Sequence, residues 1–214
     1  MNGSDVNKKL ERGLFPVSIK FLKATPGFSD LQRPSDLTFA TGVLDSVSEQ
    51  SYRIDAAWDS KTGTMTLSKN AAGEGLWIPY VGNGASVSAG IAQMSKRGLG
   101  TYTPTVLGGG GISWVVTGPF SGCHSAVFSV GNDKVFAHIV TQASGYTADT
   151  VANQVANIAL QLGIPAPAAT AYPQVASGLG EGFVFWMRIG ATWYRRVVYA
   201  FAGKVTSVEA KTTI

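Results

Sequence analysis

Both histidines and the only cysteine of this 214-residue chain fall within one stretch, WVVTGPFSGCHSAVFSVGNDKVFAHIVT, residues 114 to 141. A thiol and an imidazole are enough for nucleophilic attack on a carbonyl. The thiolate is the attacking species, and a neighbouring ring nitrogen raises its fraction near neutral pH and then passes the proton on. Whether the two groups meet depends on the backbone between them. Gly131-Asn132 suits a two-residue primed hairpin turn. With that turn, Val130 pairs with Asp133, Phe128 with Val135, Ala126 with Ala137, Ser125 with His138 and Cys123 with Val140.

Alternation along the two strands then puts Ala126, Phe128, Val130, Val135, Ala137 and Ile139 on one face, the expected core. Cys123, Ser125, Val127, Phe136 and His138 share the other face. His138 lies diagonal to Cys123, a backbone separation of about 7 Å that an imidazole can span. His124, adjacent to the thiol in sequence, is expected to turn to the opposite face, at the edge of the core with a hydrogen-bond partner of its own. Spacing alone leaves a bland alternative open, because a lone cysteine is often a small buried hydrophobe. A closed zinc site is not expected, since one cysteine and two histidines without compact His-x-x-x-His spacing fall short of four ligands.

The elements that must position these residues are mainly strands. SYRIDAAW, GTMTLS and GLWIPY, with FPVSIKFL (15 to 22) and LTFATGV (37 to 43) before them, alternate between turn residues and predict antiparallel pairing. GFVFWMRI and TWYRRVVYAF flank Gly190-Ala191 and predict a terminal hairpin, with KVTSVEA as one more strand. DVNKKLER (5 to 12) predicts a short helix stopped by Gly13. TADTVANQVANIALQLG predicts a longer one capped by Thr147 and ended by Gly163 and Pro165, its stripe of Val151, Val155, Ile158, Ala159 and Leu162 packed on the sheet. Residues 82 to 111, rich in Gly, Ser and Thr, read as a loop. Their glycines are not followed by the Gly-Lys-Ser/Thr of a phosphate cradle, and GLGEG at 178 to 182 lacks the helix-opening context of a dinucleotide site.

Composition agrees with one folded, loop-rich domain over residues 1–214: 45% hydrophobic, 14% charged, 26 glycines. No apolar run is long enough for a membrane span, and the amino-terminal residues carry no secretory-signal pattern. The net charge of +4 is spread over scattered pairs such as Lys96/Arg97 and Arg195/Arg196. A nucleic-acid protein concentrates its basic residues with interleaved aromatics, so no nucleic-acid partner is expected. A single cysteine that cannot form an internal disulfide fits work in a reducing compartment.

Ser121-Gly122-Cys123, with His138 fifteen positions on and Thr117 six positions before the cysteine, resembles the centre of the bacterial glutamine deamidase toxins typified by cytotoxic necrotizing factor and Burkholderia lethal factor 1. GLWIPY also looks like the Leu-Trp-Leu-Pro-aromatic strand of the lethal factor, whose length and order of elements are similar too. The strong part of the likeness runs from about residue 76 to 141. The chain departs from the pattern in Pro119-Phe120 and in the long 82 to 111 loop. The chemoreceptor glutamine deamidases carry a similar Thr, Cys and His arrangement.

The resemblance implies an α+β fold, a single domain built on a mainly antiparallel β-sandwich with flanking helices and long loops, and a narrow recessed site. In it Cys123 would be the nucleophile, His138 the base and acid, and Thr117 the group that orients the imidazole. No cofactor or metal would be needed. The partner would be a host protein bearing the target glutamine, with a Rho-type GTPase or a translation-initiation helicase as candidates. The enzyme would pass from bacterial cytoplasm to host cytosol without a classical signal peptide. Two alternatives stay open: a cysteine hydrolase or transglutaminase sharing the thioester step, and a β-sandwich binding module with an inert thiol.

Overall fold

Residues that alternate between two buried environments need a layer on each side, and this chain supplies both. The computed structural model describes residues 1–12, 52–78, 111–120, 122–139, 148–202 and 204–214. The strands expected at 15 to 22 and 37 to 43, the loop at 82 to 110, and the expected roles of Gly13, Thr147 and Val140 lie outside them. The fold is α+β and mainly β. Helix α1 (Gly3–Glu11) is followed by β1 (Tyr52–Asp59), β2 (Thr64–Lys69), β3 (Gly75–Ile78), β4 (Trp114–Phe120), β5 (His124–Val130) and β6 (Asp133–Ile139). Helix α2 (Ala148–Gln161) then leads through a short 3-10 turn (Ala169–Ala171) to β7 (Glu181–Ile189), β8 (Thr192–Phe201), β9 (Lys204–Val208) and β10 (Thr212–Thr213).

Eight strands form one sheet in the order β10-β8-β7-β4-β3-β1-β2, with β9 also paired to β8. Its strands β4, β7 and β8 divide their side chains cleanly by face. Trp114, Val116, Phe183, Phe185, Met187, Val198 and Ala200 pack with Val6 and Leu10 of α1. Val115, Phe120, Val184, Trp186, Val197 and Tyr199 pack in the other cluster, with the β5-β6 hairpin and with Val151, Val155, Ile158 and Ala159 of α2. Among the described residues the second layer is a two-stranded hairpin, with α2 packed against its strands.

The β5-β6 register is the expected one. Val130 pairs with Asp133, Phe128 with Val135, Ala126 with Ala137 and Ser125 with His138. Gly131 has φ 59° while Asn132 is not left-handed, the pattern of a II′ turn with glycine at its first central position. The terminal β7-β8 hairpin through Gly190, the strand at β9 and the α2 helix also form as expected.

Two expectations are corrected. Helix α1 begins at Gly3 rather than at residue 5, because Asn2 caps it by accepting from the Asp5 N–H at 2.9 Å. The expected antiparallel pairing holds for β1 with β2 and with β3, while the other neighbour of β3, strand β4, runs parallel to it; a parallel neighbour needs a long crossover, and residues 79 to 113 provide its length. The hairpin buries both faces. Val127, Phe136 and Cys123 belong to the core as fully as Ala126 and Phe128, and Phe136 lies 4.9 Å in ring-centroid distance from both Trp186 and Trp193 of the large sheet.

Candidate active site

Thr117 stands near the end of β4, in parallel register with Ile78 of β3. Its hydroxyl lies 2.8 Å from the Ile78 carbonyl oxygen and 3.1 Å from His138 Nδ1, and all of these groups are buried. One hydroxyl has one proton. The carbonyl can only accept, so Thr117 donates to Ile78 and must accept from His138 Nδ1–H. The tautomer follows: the Nδ1 of His138 carries the proton and Nε2 carries the basic lone pair.

Phe120 holds the same imidazole by its face. The two rings stack at 3.7 Å between centroids and within 6° of parallel. Thr117 and Phe120 are three residues apart and would point to opposite faces of a regular strand. Between them the register slips: Thr117 pairs with Val184, but Phe120 pairs with Gly182, leaving one extra residue on β4. This bulge returns Phe120 to Thr117's face, so that a hydroxyl and a phenyl ring meet one histidine.

The bulge leaves no room for a side chain at Gly118. A Cβ there would come within 2.5 Å of Phe183 Cδ1 and 2.9 Å of the Gly182 carbonyl oxygen. Gly118→Ala is expected to destabilise the fold by about 1–3 kcal/mol through overpacking. A fall in the urea midpoint with an unchanged slope checks it.

Cys123 precedes β5 in the chain and is 2% exposed. It sits two residues before Ser125, the direct cross-strand partner of His138, and one residue outside the strand. Gly122, with φ 88°, makes the turn into the cysteine, a conformation that favours glycine. The segment 173 to 175 pins this turn. Gly122 N–H donates to the Val175 carbonyl at 3.2 Å, Val175 N–H donates to the Cys123 carbonyl at 2.9 Å, and the Gln174 side-chain amide donates to the Gly122 carbonyl at 2.8 Å. His124 turns away as expected and donates from Nδ1 to the Tyr172 carbonyl oxygen at 2.7 Å.

Burial pushes the His138 pKa down from 6.5 to about 3. The side chain is neutral at physiological pH. Burial of the ring disfavours its charged imidazolium form. A neutral Nε2 is suited instead to receiving the thiol proton as attack proceeds.

No protein-family model, curated protein or solved structure matches the chain. The functional reading therefore stands on the residues themselves.

Three contributors escape a sequence reading. Ile78 acts through its carbonyl, which its side chain does not announce. Phe120 reaches the histidine only because of the bulge. The third is a polar cluster: Arg195 Nε donates to Ser125 Oγ at 2.9 Å and Arg195 pairs with Glu209 at 3.5 Å, while the Tyr199 hydroxyl donates to Glu209 at 2.8 Å. Burial, and then the Glu209 carboxylate, push the Tyr199 pKa up to about 12, so this phenol keeps its proton. The pair Arg195/Arg196 gives a hint, since neighbours on a strand point to opposite faces and one of them must be accommodated on the hairpin side.

Proposed function

We propose that this protein is a bacterial toxin or effector that converts a specific glutamine side chain of a host protein to glutamate through Cys123, His138 and Thr117. The observation that carries the reading is the relay from the Ile78 carbonyl through Thr117 to His138, which holds the imidazole in the tautomer that a cysteine nucleophile needs. Cys123 Sγ bonds to the carboxamide carbon as its proton passes to His138 Nε2. The oxyanion is met by backbone N–H groups, the Cys123 N–H among them. His138 returns the proton to the nitrogen, the C–N bond breaks, and ammonia leaves. Water then adds to the thioester while His138 takes its proton. The C–S bond breaks, and the thiol and a glutamate carboxylate are released.

The product carries one new negative charge, enough to disable a switch without cutting the chain. A Rho-type GTPase and a translation-initiation helicase are the candidate targets, with action in the host cytosol. The test is mass spectrometry of host lysate treated with the native protein or with Cys123→Ser. Glutamine-to-glutamate mass gains at one site, present only with the native protein, are the expected result. Identical patterns would reject the enzyme.

A second reading, a binding protein with a structural thiol, draws on the burial of the pair, with Cys123 2% and His138 8% exposed. Alkylation separates the two. A nucleophile reacts in the native state and slows when His138 is replaced; a structural thiol reacts only on unfolding.

A further inference from the structure

The hydrogen-bond phase of β5 shows which way its backbone groups point. Ser125 N–H leaves the β5-β6 ladder and donates to the Pro173 carbonyl at 3.1 Å. Its pair with His138 is therefore a non-hydrogen-bonded one, and by the alternation of an antiparallel ladder so are Val127 with Phe136 and Ser129 with Lys134. The N–H and C=O groups of Val127 and Ser129 thus point outward along the same edge. Upstream, that edge already takes a strand-like partner, since His124 and Gln174 form an antiparallel bridge. Among the described residues no strand pairs with this edge beyond Pro173, where the chain enters the 3-10 turn Ala169–Ala171.

There a groove of about 820 Å³ opens. Val127 and Ser129 line it on one side and Thr213 of the edge strand β10 on the other, with Pro173 and the cations Lys134 and Arg195 also in its wall. Lys134 is held across the hairpin, donating to Ser129 Oγ at 2.8 Å. Arg195 has its Nε on Ser125 Oγ and its Nη1 paired with Glu209 at 3.5 Å. The groove therefore offers a strand edge, apolar walls and two positive charges.

We propose that this groove binds an extended segment of a partner protein that adds as a strand to β5 at Val127–Ser129 and presents carboxylate side chains to Lys134 and Arg195. Main-chain pairing would supply affinity, and the alternating side chains selectivity. The site stands whether or not Cys123 is a nucleophile.

The test titrates the isotope-labelled full chain with acetyl-Val-Glu-Val-Glu-Val-amide and with its lysine-for-glutamate counterpart, followed by amide NMR and hydrogen exchange. The acidic peptide is expected to shift the Val127 and Ser129 amides and slow their exchange, and to bind at least about tenfold more tightly than the basic one. Lys134→Glu should erase or invert that preference. Ser129→Pro should block binding, because the lost N–H belongs to the outer edge and not to the ladder. Equal binding of the two peptides, no change at Val127 and Ser129, or shifts confined to another surface would overturn the proposal.

Discussion

Thr117→Val is expected to lower the rate of the proposed deamidation by about 10²–10⁴-fold while Thr117→Ser retains most of it. Valine matches threonine in shape but neither donates nor accepts. The Ile78 carbonyl loses its donor and His138 Nδ1–H loses its acceptor, both in a buried setting. The ring is then held less firmly as the Nδ1–H tautomer, and a proton on Nε2 would make it useless as a base toward Cys123. Two orphaned buried groups should also cost about 1–3 kcal/mol each. Serine keeps the hydroxyl and hence the relay. Single-turnover rates on the identified target, with urea unfolding in parallel, separate the loss of aim from the loss of fold. Equal activity of the valine and serine variants would show that the relay does not set the chemistry.

The second large effect concerns acid. His138 has a folded pKa of about 3 against an ordinary 6.5, because burial disfavours the charged ring. Between those values the unfolded chain binds a proton that the native state refuses, so lowering the pH favours unfolding. The stabilisation is fully present above pH 6.5 and is lost progressively as the pH falls toward about 3, with a limiting slope of about 1.4 kcal/mol per pH unit. Among the described residues the carboxylates with lowered pKa, Glu11, Asp55 and Asp59, start from ordinary values of 4.5 and 3.8 and contribute as the pH falls through those values. The difference between the native protein and a His138 variant over the interval from 6.5 down to 4.5 therefore isolates the histidine. Urea unfolding across this interval should show the slope in the native protein, and His138→Gln should flatten it. An unchanged slope in the variant would place the titration elsewhere.

Much of the site's backbone was legible in the residues alone. The Gly131-Asn132 turn set the β5-β6 register, placed Ser125 opposite His138 and sent His124 the other way. The apolar pattern of the two strands does not by itself choose that register. Apolar alternation discriminates between registers only when one face is wet, and here Val127 and Phe136 are buried as fully as Ala126 and Phe128. The turn, not the apolar pattern, holds the pairing. β4 was hidden for the same reason: as a central strand, buried along nearly its whole length, it reads as a continuous apolar run. The parallel β3-β4 contact joins residues about forty positions apart, a distance over which local pattern carries no information. The neutrality of His138 depends on how deeply neighbouring layers enclose it, and residue order does not record depth.

The single surplus residue in β4 also acts as a phase shifter. Deleting one position between Thr117 and Phe120 would leave thiol, imidazole and hydroxyl all encoded in the chain, yet would turn the phenyl ring toward the α1 layer and strip the imidazole of its platform. For a chain of this design, descent with retained chemistry is constrained by counting as much as by residue type. Distant kin should preserve the Thr-x-x-aromatic interval even where little else can be aligned.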